Sequence, residues 1–495
     1  MPENTEPAYF GDLGLDRIVG EIVAGDYRTL APLYFSIADA ASVAMRHSIF
    51  RDLEASQSLE SAITQFGADM RYTLDVTDLA ASVGERVQAM RWHLYACQSY
   101  LRTVDRFHRG LRAAQPEAPA LQELASYLDE YCGDAAYTRL ASETARIARA
   151  LGAVRYCVEI DADHVAVSRY RDEPDFSDRT LRILSRMTVT SDDLAEAMAE
   201  PPLRELSNVE SQILQRVAAL FPNEFEALAE FCRGTESFID QRIFRADLEL
   251  RFYRHYRDFM ATVATDDLHF CFPAIVEDPT QSTWVRDCFD LALAIDAGKR
   301  DPLVVNSFRL TPPEQVLVVT GPNQGGKTTF ARMIGQLHHL AAVGVPVPGS
   351  AARIRLPHAI FSHFERRENT AAGRGRLADE LRRVKQIIDR VGPHDVVIMN
   401  ESFTSTSLQD ARVLGEAVLR DLIAAGCLVV YVTFVDELSR LSDATVSMVS
   451  AVAPLDPSSR TFRIERRPAD GVAYAEAIAR KYRVTFDALT HRLSS

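Results

Sequence analysis

The stretch from Gly321 to Thr329, GPNQGGKTT, has the residue types and spacing most able to do chemistry. Gly321, Gly326, Lys327 and Thr328 satisfy G-x-x-x-x-G-K-[ST], the pattern of a phosphate-binding loop. Glycines let backbone N–H groups close round a phosphate, and the N-terminus of a following helix adds partial positive charge. Lys327 would bring a compact charge to the β- and γ-phosphates of ATP, and the Thr328 hydroxyl would hold Mg²⁺. Pro322, Asn323, Gln324, Gly325 and Thr329 complete the expected nucleotide-binding loop. An ordinary glycine-rich turn between strand and helix is the bland alternative. Against it, the apolar run Val316 to Thr320 precedes the loop as a strand, and a helix is expected from the lysine onward.

Such a loop needs a second strand that ends in acidic residues to position a metal and activate water. His394 to Glu401, HDVVIMNE, supplies one with a departure. Asn400 stands where a metal-orienting aspartate is usual; an amide keeps the oxygen and loses the charge. Glu401 follows and is the expected general base, with Lys327 the other catalytic residue and Thr328, Asn400 and Glu401 the metal set. A plain surface carboxylate at a strand end is the alternative for Glu401.

The elements that must hold these residues follow from the pattern of the chain. Its 495 residues exceed one ordinary core and predict more than one domain. The formal net charge of −14 argues against a uniformly basic surface without excluding a local basic patch. Only four of the 55 basic residues are lysines, and one of the four is Lys327. Seven scattered cysteines with no C-x-x-C indicate neither a disulfide framework nor a zinc site. No leader or membrane-length apolar run is evident, so a cytoplasmic protein with no membrane partner is expected.

Up to about residue 265 the apolar spacing is helical, over Ile37–Leu53, Leu79–Tyr100, Leu121–Leu151, Val209–Ala227 and Ile239–Val263. His47, His93 and His108 lie in these helices and are given no role. From Val154 to Tyr170 the period becomes two, which predicts a hairpin; its Arg155, Arg169 and Arg171 read as solvated charge, with a nucleic-acid contact as the alternative. The arginines of Ile239–Val263 read as the solvated side of an amphipathic helix with an aromatic core side. Pro174 to Leu206 reads as loop. After a boundary near Asp266–Pro279, strands and helices alternate: Val304–Leu310, Val316–Thr320, Phe330–Val343, Leu377–Val391, Val396–Met399, Ala411–Ala425, Leu428–Thr433, then Thr461–Arg467 and Tyr474–Ala479. That alternation predicts an α/β domain with a mostly parallel sheet.

GPNQGGKTT resembles the GPNMGGKST loop of the MutS-type mismatch-repair ATPases. Further stretches are similar in the same order: Gly344 to Pro348 to a GxxVPA turn, and Ile360 to Phe364 with Gly373, Arg374 and Glu380 to IFTRIG…SGxSTFxxE. Asn400 to Ser407 with Asp410 is similar to DEIGRGTSTFD, and Tyr431 to Leu438 to FATHYHEL. The resemblance covers roughly 274–493. It implies a P-loop ATPase domain of the ABC/MutS type over 266–495. It also implies a mainly α-helical core and lever domain over 1–265, with a reduced clamp or hairpin insertion at about 154–206. It implies a homodimer in which Thr406 and Ser407 of a signature loop complete the partner's ATP–Mg²⁺ site, and association with DNA. The departures are Phe434 at the position of a γ-phosphate-sensing histidine, and Phe403 and Ser405 in place of signature glycines. No Phe-x-Glu occurs, so mismatch reading by this chain alone is not expected. Three readings follow: a slow DNA-associated ATPase, an ATP-binding switch that scarcely hydrolyses and acts on a protein partner, and an unrelated P-loop enzyme such as a small-molecule kinase.

Overall fold

The computed structural model describes residues 5–161, 164–173, 204–278, 280–298, 302–365, 376–453 and 456–469. Gly373, Arg374, most of the expected loop at 174–206 and the Tyr474–Ala479 helix lie outside them. The chain forms two units, Asp52–Arg251 and Met1–Arg51 with Phe252–Ser495. This division differs from a single cut near residue 265, because the first 51 residues belong with the C-terminal unit. Two helices cross the division, α4 (Ala40–Ala55) and α11 (Gln241–Val263).

The Asp52–Arg251 unit is helical, as its apolar spacing predicts. Helices α5 (Gln57–Ser82) and α6 (Arg86–Ala114) run antiparallel and close together. Phe66 and Phe107 stack at 3.9 Å between ring centroids, and a Cβ on Gly110 would lie 2.9 Å from that of Ala62. Three expected helices are each broken by a local stop signal. Leu79–Tyr100 is interrupted at 83–85, where the Glu85 carboxylate caps the Gln88 N–H at 2.6 Å. Leu121–Leu151 divides into α7 (Pro119–Gly133) and α8 (Ala135–Gly152) at Asp134, which caps Ala136. Val209–Ala227 divides into α9 (Asn208–Leu220) and α10 (Pro222–Gly234), because Pro222 has no N–H and favours the first helical position. Strands β1 (Tyr156–Asp161) and β2 (His164–Arg169) form the predicted antiparallel hairpin. Arg155 lies over Tyr170 and Arg169 over Phe221, so these two arginines pack on rings within the unit. In α11 the solvated arginine face is interrupted at Arg251, whose side chain is drawn in to the buried Asp247 at 2.9 Å.

In the other unit, a six-stranded sheet has the order β10-β11-β12-β7-β13-β14. Its strands are β7 (Val316–Thr320), β10 (Ile360–Phe364), β11 (Val396–Asn400), β12 (Leu428–Val432), β13 (Thr445–Ala453) and β14 (Asp456–Arg466). The first five are parallel and β14 is antiparallel to β13. This is the expected α/β architecture with two strands that the sequence pattern hid, β10 at the edge and the more central β13. In β13 the short polar residues at Ser447 and Ser450 break the apolar run that a central strand normally shows. Around the sheet lie α12 (Leu291–Ala297), α13 (Lys327–Val343), α14 (Arg376–Ile388) and α15 (Leu408–Ala425). A four-stranded sheet, also unforeseen apart from its last strand, orders β4 (Ala274–Ile275), β9 (Ala351–Ile354), β5 (Thr283–Cys288) and β6 (Asn306–Leu310). The seven cysteines are free thiols, and no helix among the described residues is long and apolar enough to cross a membrane.

Helix α13 is buried along almost its whole length, which explains why its apolar periodicity is weak. The N-terminal helix α1 (Phe10–Leu13) packs on it, and α2 (Leu15–Ile22) follows directly. Tyr9 Oη lies 3.1 Å from His339 Nδ1, and Gln336 Nε2 donates to the Leu13 carbonyl at 2.9 Å. A Cβ on Gly335 would come within 2.7 Å of the Leu13 side chain, so the two segments touch without a gap. Burial pushes His338 and His339 down to about 4 from an ordinary 6.5, and both are fully buried. The unfolded chain therefore binds more protons than the folded one between these values, and stability falls as pH drops from 6.5 toward 4. We expect each histidine to contribute up to about 3 kcal/mol of this loss. Urea unfolding at pH 7 and pH 5 measures it, and His338→Gln should flatten the slope.

Candidate functional site

Strand β7 is buried at every residue and delivers the glycine loop to the carboxyl end of the sheet. Gly321 and Gly326 have φ of 117° and 90°, and Gln324 also has positive φ. Only residues without a Cβ reach such values cheaply. The glycines meet a second demand from β13: a Cβ at Gly325 would lie 2.2 Å from Ser450 Oγ, and one at Gly321 would lie 2.9 Å from Ser450 Cβ. Ser450 Oγ donates to the Gly325 carbonyl at 2.7 Å. Lys327 opens α13 and folds back into the loop, with Nζ 2.9 Å from the Gly321 carbonyl and 3.1 Å from that of Pro322. Asn323 Oδ1 stands 3.5 Å from the same amine. Burial lowers the Lys327 pKa, while Glu401 acts to raise it.

Beside the loop is a cleft of about 450 Å³ lined by Gln324 to Thr329, Glu401, Leu303, Asn306 and Phe462. It brings Lys327, Thr328 and Glu401 to one space. Gly321, Pro322, Asn323 and Asn400 do not line the cleft, and neither do Thr406 and Ser407. Those two hydroxyls start α15 instead. Ser407 Oγ caps Asp410 N–H at 3.1 Å and donates to its carboxylate at 2.8 Å, and Thr406 Oγ1 lies 3.3 Å from the same carboxylate.

The acidic strand end is a tight turn. Asn400 is buried, and its Oδ1 has no hydrogen-bond partner among the described residues. Glu401 and Phe403 both have left-handed backbones, with φ of 52° and 64°. For side-chain-bearing residues that costs about 1–2 kcal/mol each, so the surroundings must hold it in place. Phe403 is fully buried in the core with Met399, Leu419 and Tyr431. Phe434 lies two residues past β12 with 46% of its surface exposed, an apolar ring where the resemblance places a phosphate-sensing histidine.

Several site residues gave no signal in the sequence. Ser450, Arg460, Phe462 and Asn306 all support the loop. Arg460 Nε donates to the Asn323 carbonyl at 3.2 Å, and Asn306 Nδ2 to the Phe462 carbonyl at 3.2 Å. They come from β6, β13 and β14, and only recognition of β13 as a central strand would have pointed to them.

The matching family model is that of MutS domain V, over residues 317–478, which spans the glycine loop, the Asn400–Glu401 turn and β12 to β14. The likeness to the MutS family lies in this domain. Among similar proteins, the DNA mismatch repair protein MutS of Thermotoga neapolitana is 26% identical over 224 residues, covering 44% of this chain and 26% of that protein. The DNA mismatch repair protein MSH3 of Arabidopsis thaliana is 27% identical over 207 residues, covering 39% of this chain and 19% of that protein. The chain thus aligns with about a quarter or less of the length of these relatives.

The loop geometry yields a stability test. Gly325→Ala should destabilise the chain by about 1–3 kcal/mol, because its methyl overlaps Ser450 Oγ and also comes within 2.9 Å of the Pro322 carbonyl. Ser450→Gly in the same chain should recover only the part of the loss that comes from Oγ. Thermal melts of the single and paired variants read the outcome.

Proposed function

We propose that this chain binds ATP–Mg²⁺ in the glycine-loop cleft and hydrolyses it slowly, as a dimeric, DNA-associated ATPase of the MutS type. The observation that carries the reading is the meeting of Lys327, Thr328 and Glu401 around one cleft, next to a loop whose glycines are sterically required. ATP would sit with its phosphates on the backbone of Gly321 to Thr329. Lys327, released from the Gly321 and Pro322 carbonyls, would face the β- and γ-phosphates. Glu401 is the carboxylate that takes the proton of an attacking water.

A magnesium ion fits the donor set. Thr328 and Glu401 line the cleft, and Asn400 offers a buried amide oxygen that no described residue satisfies. One carboxylate, an amide and a hydroxyl suit an ion held largely by phosphates and water. Bound there, it would neutralise phosphate charge.

In the dimer, Thr406 and Ser407 of one protomer would reach the partner's γ-phosphate, and the helical unit would act as the moving core and lever. The outward position of both hydroxyls at the start of α15, away from their own cleft, supports a role in trans. DNA as partner is supported by the likeness to two proteins named for DNA mismatch repair.

A second reading is favoured by one observation: the exposed Phe434 has no group to hydrogen-bond a phosphate. On that reading the chain binds ATP as a switch and acts on a protein partner with little hydrolysis. The domain V match leaves the small-molecule kinase reading without support.

Steady-state hydrolysis by wild type, Lys327→Ala and Glu401→Gln, with branched, mismatched and homoduplex DNA, separates the readings. We expect measurable turnover that responds to one DNA form and is lost in Lys327→Ala. Glu401→Gln should fall by at least about 100-fold while retaining ATP. Equal inertness of wild type and Glu401→Gln, with ATP bound to both, selects the switch. Gel filtration with and without ATP checks the dimer, and a monomer under both conditions rejects it.

A further inference from the structure

The Glu401 turn is anchored on both sides in a way that assigns work to two residues outside the nucleotide-binding loop. On one side the Glu401 N–H donates to the Val432 carbonyl of β12 at 3.0 Å. On the other, Ser402 Oγ lies 3.0 Å from Nδ1 of His363, which stands on β10 across from Met399. Ser402 and His363 are both buried, at 4% and 1% exposure, so water does not compete for this bond. Ser402 sits between the two left-handed residues Glu401 and Phe403. A turn of three residues with strained backbone at both ends relaxes unless its middle residue is held. Thr404 Oγ1 then donates to Glu365 at 3.1 Å, just past β10, continuing the same seam.

We propose that the Ser402–His363 bond is the positioning contact for Glu401: it holds the carboxylate toward the cleft and so sets the rate of the chemical step without touching nucleotide. The inference rests on the reading of Glu401 as the water-activating base. Neither residue lines the cleft, so neither contributes to ATP binding. Loss of the bond lets the turn relax and moves Glu401 from its place, which lowers kcat and leaves KM alone.

The test is ATP hydrolysis by wild type, Ser402→Ala, His363→Ala, the paired variant and His363→Gln, with a thermal melt of each. We expect both alanine variants to lower kcat by about 10- to 100-fold with KM for ATP within about twofold of wild type. The paired variant should be no slower than the slower single one, since one contact is lost in all three. His363→Gln, which can still reach the Ser402 hydroxyl, should recover most of kcat. An active wild type whose alanine variants keep full kcat overturns this inference alone. So does a loss of kcat matched by an equal rise in KM. Where an alanine variant does not fold, His363→Gln and His363→Leu decide in its place, and equal kcat for the two overturns the inference. An inert wild type overturns it together with the hydrolytic reading.

Discussion

The amine of Lys327 is buried at the carboxyl end of β7, against two backbone carbonyls and opposite Glu401. A cation held out of water is costly unless donors and acceptors surround it. The loop supplies them by turning its carbonyls inward, which is possible only because Gly321 and Gly326 adopt conformations that a Cβ would penalise. Gly321 and Gly325 also let Ser450 of β13 pack closely against the loop. The loop, the strand order and the helix that leaves the loop therefore depend on one local constraint.

A complementary economy of space governs the acidic side. β11 ends at Asn400, whose buried amide oxygen has no hydrogen-bond partner among the described residues. Phe403, buried where a small residue would leave a void, anchors the turn in the core. Aromatic packing here does what backbone freedom does on the glycine side.

The N-terminal segment adds a third element. Leu13, Tyr9 and Gln336 join α1 to α13, the helix that begins at Lys327. Asp290, with its side chain fully buried, accepts from Arg332 and Gln336 on the same helix. Polar groups buried this deeply must be paired, and the pairing fixes the helix axis behind the loop.

Much of the site was legible in the sequence, because a glycine pattern before a lysine, and an acidic residue after an apolar strand, are local signals. The residues from Gly321 to Thr328, Asn400 and Glu401 could be placed on their elements without coordinates. The helix breaks at Glu85, Asp134 and Pro222 went unforeseen, although each rests on a local capping signal. What only tertiary structure decided were relations between distant segments. Ser450 lies under a glycine 125 residues earlier, and His363 reaches Ser402 across two strands. Residues 1–51 fold with the C-terminal unit because an amphipathic face specifies burial but not the partner that buries it. Local chemistry is written in spacing along the chain; these contacts depend on strand order and helix packing, which spacing does not encode.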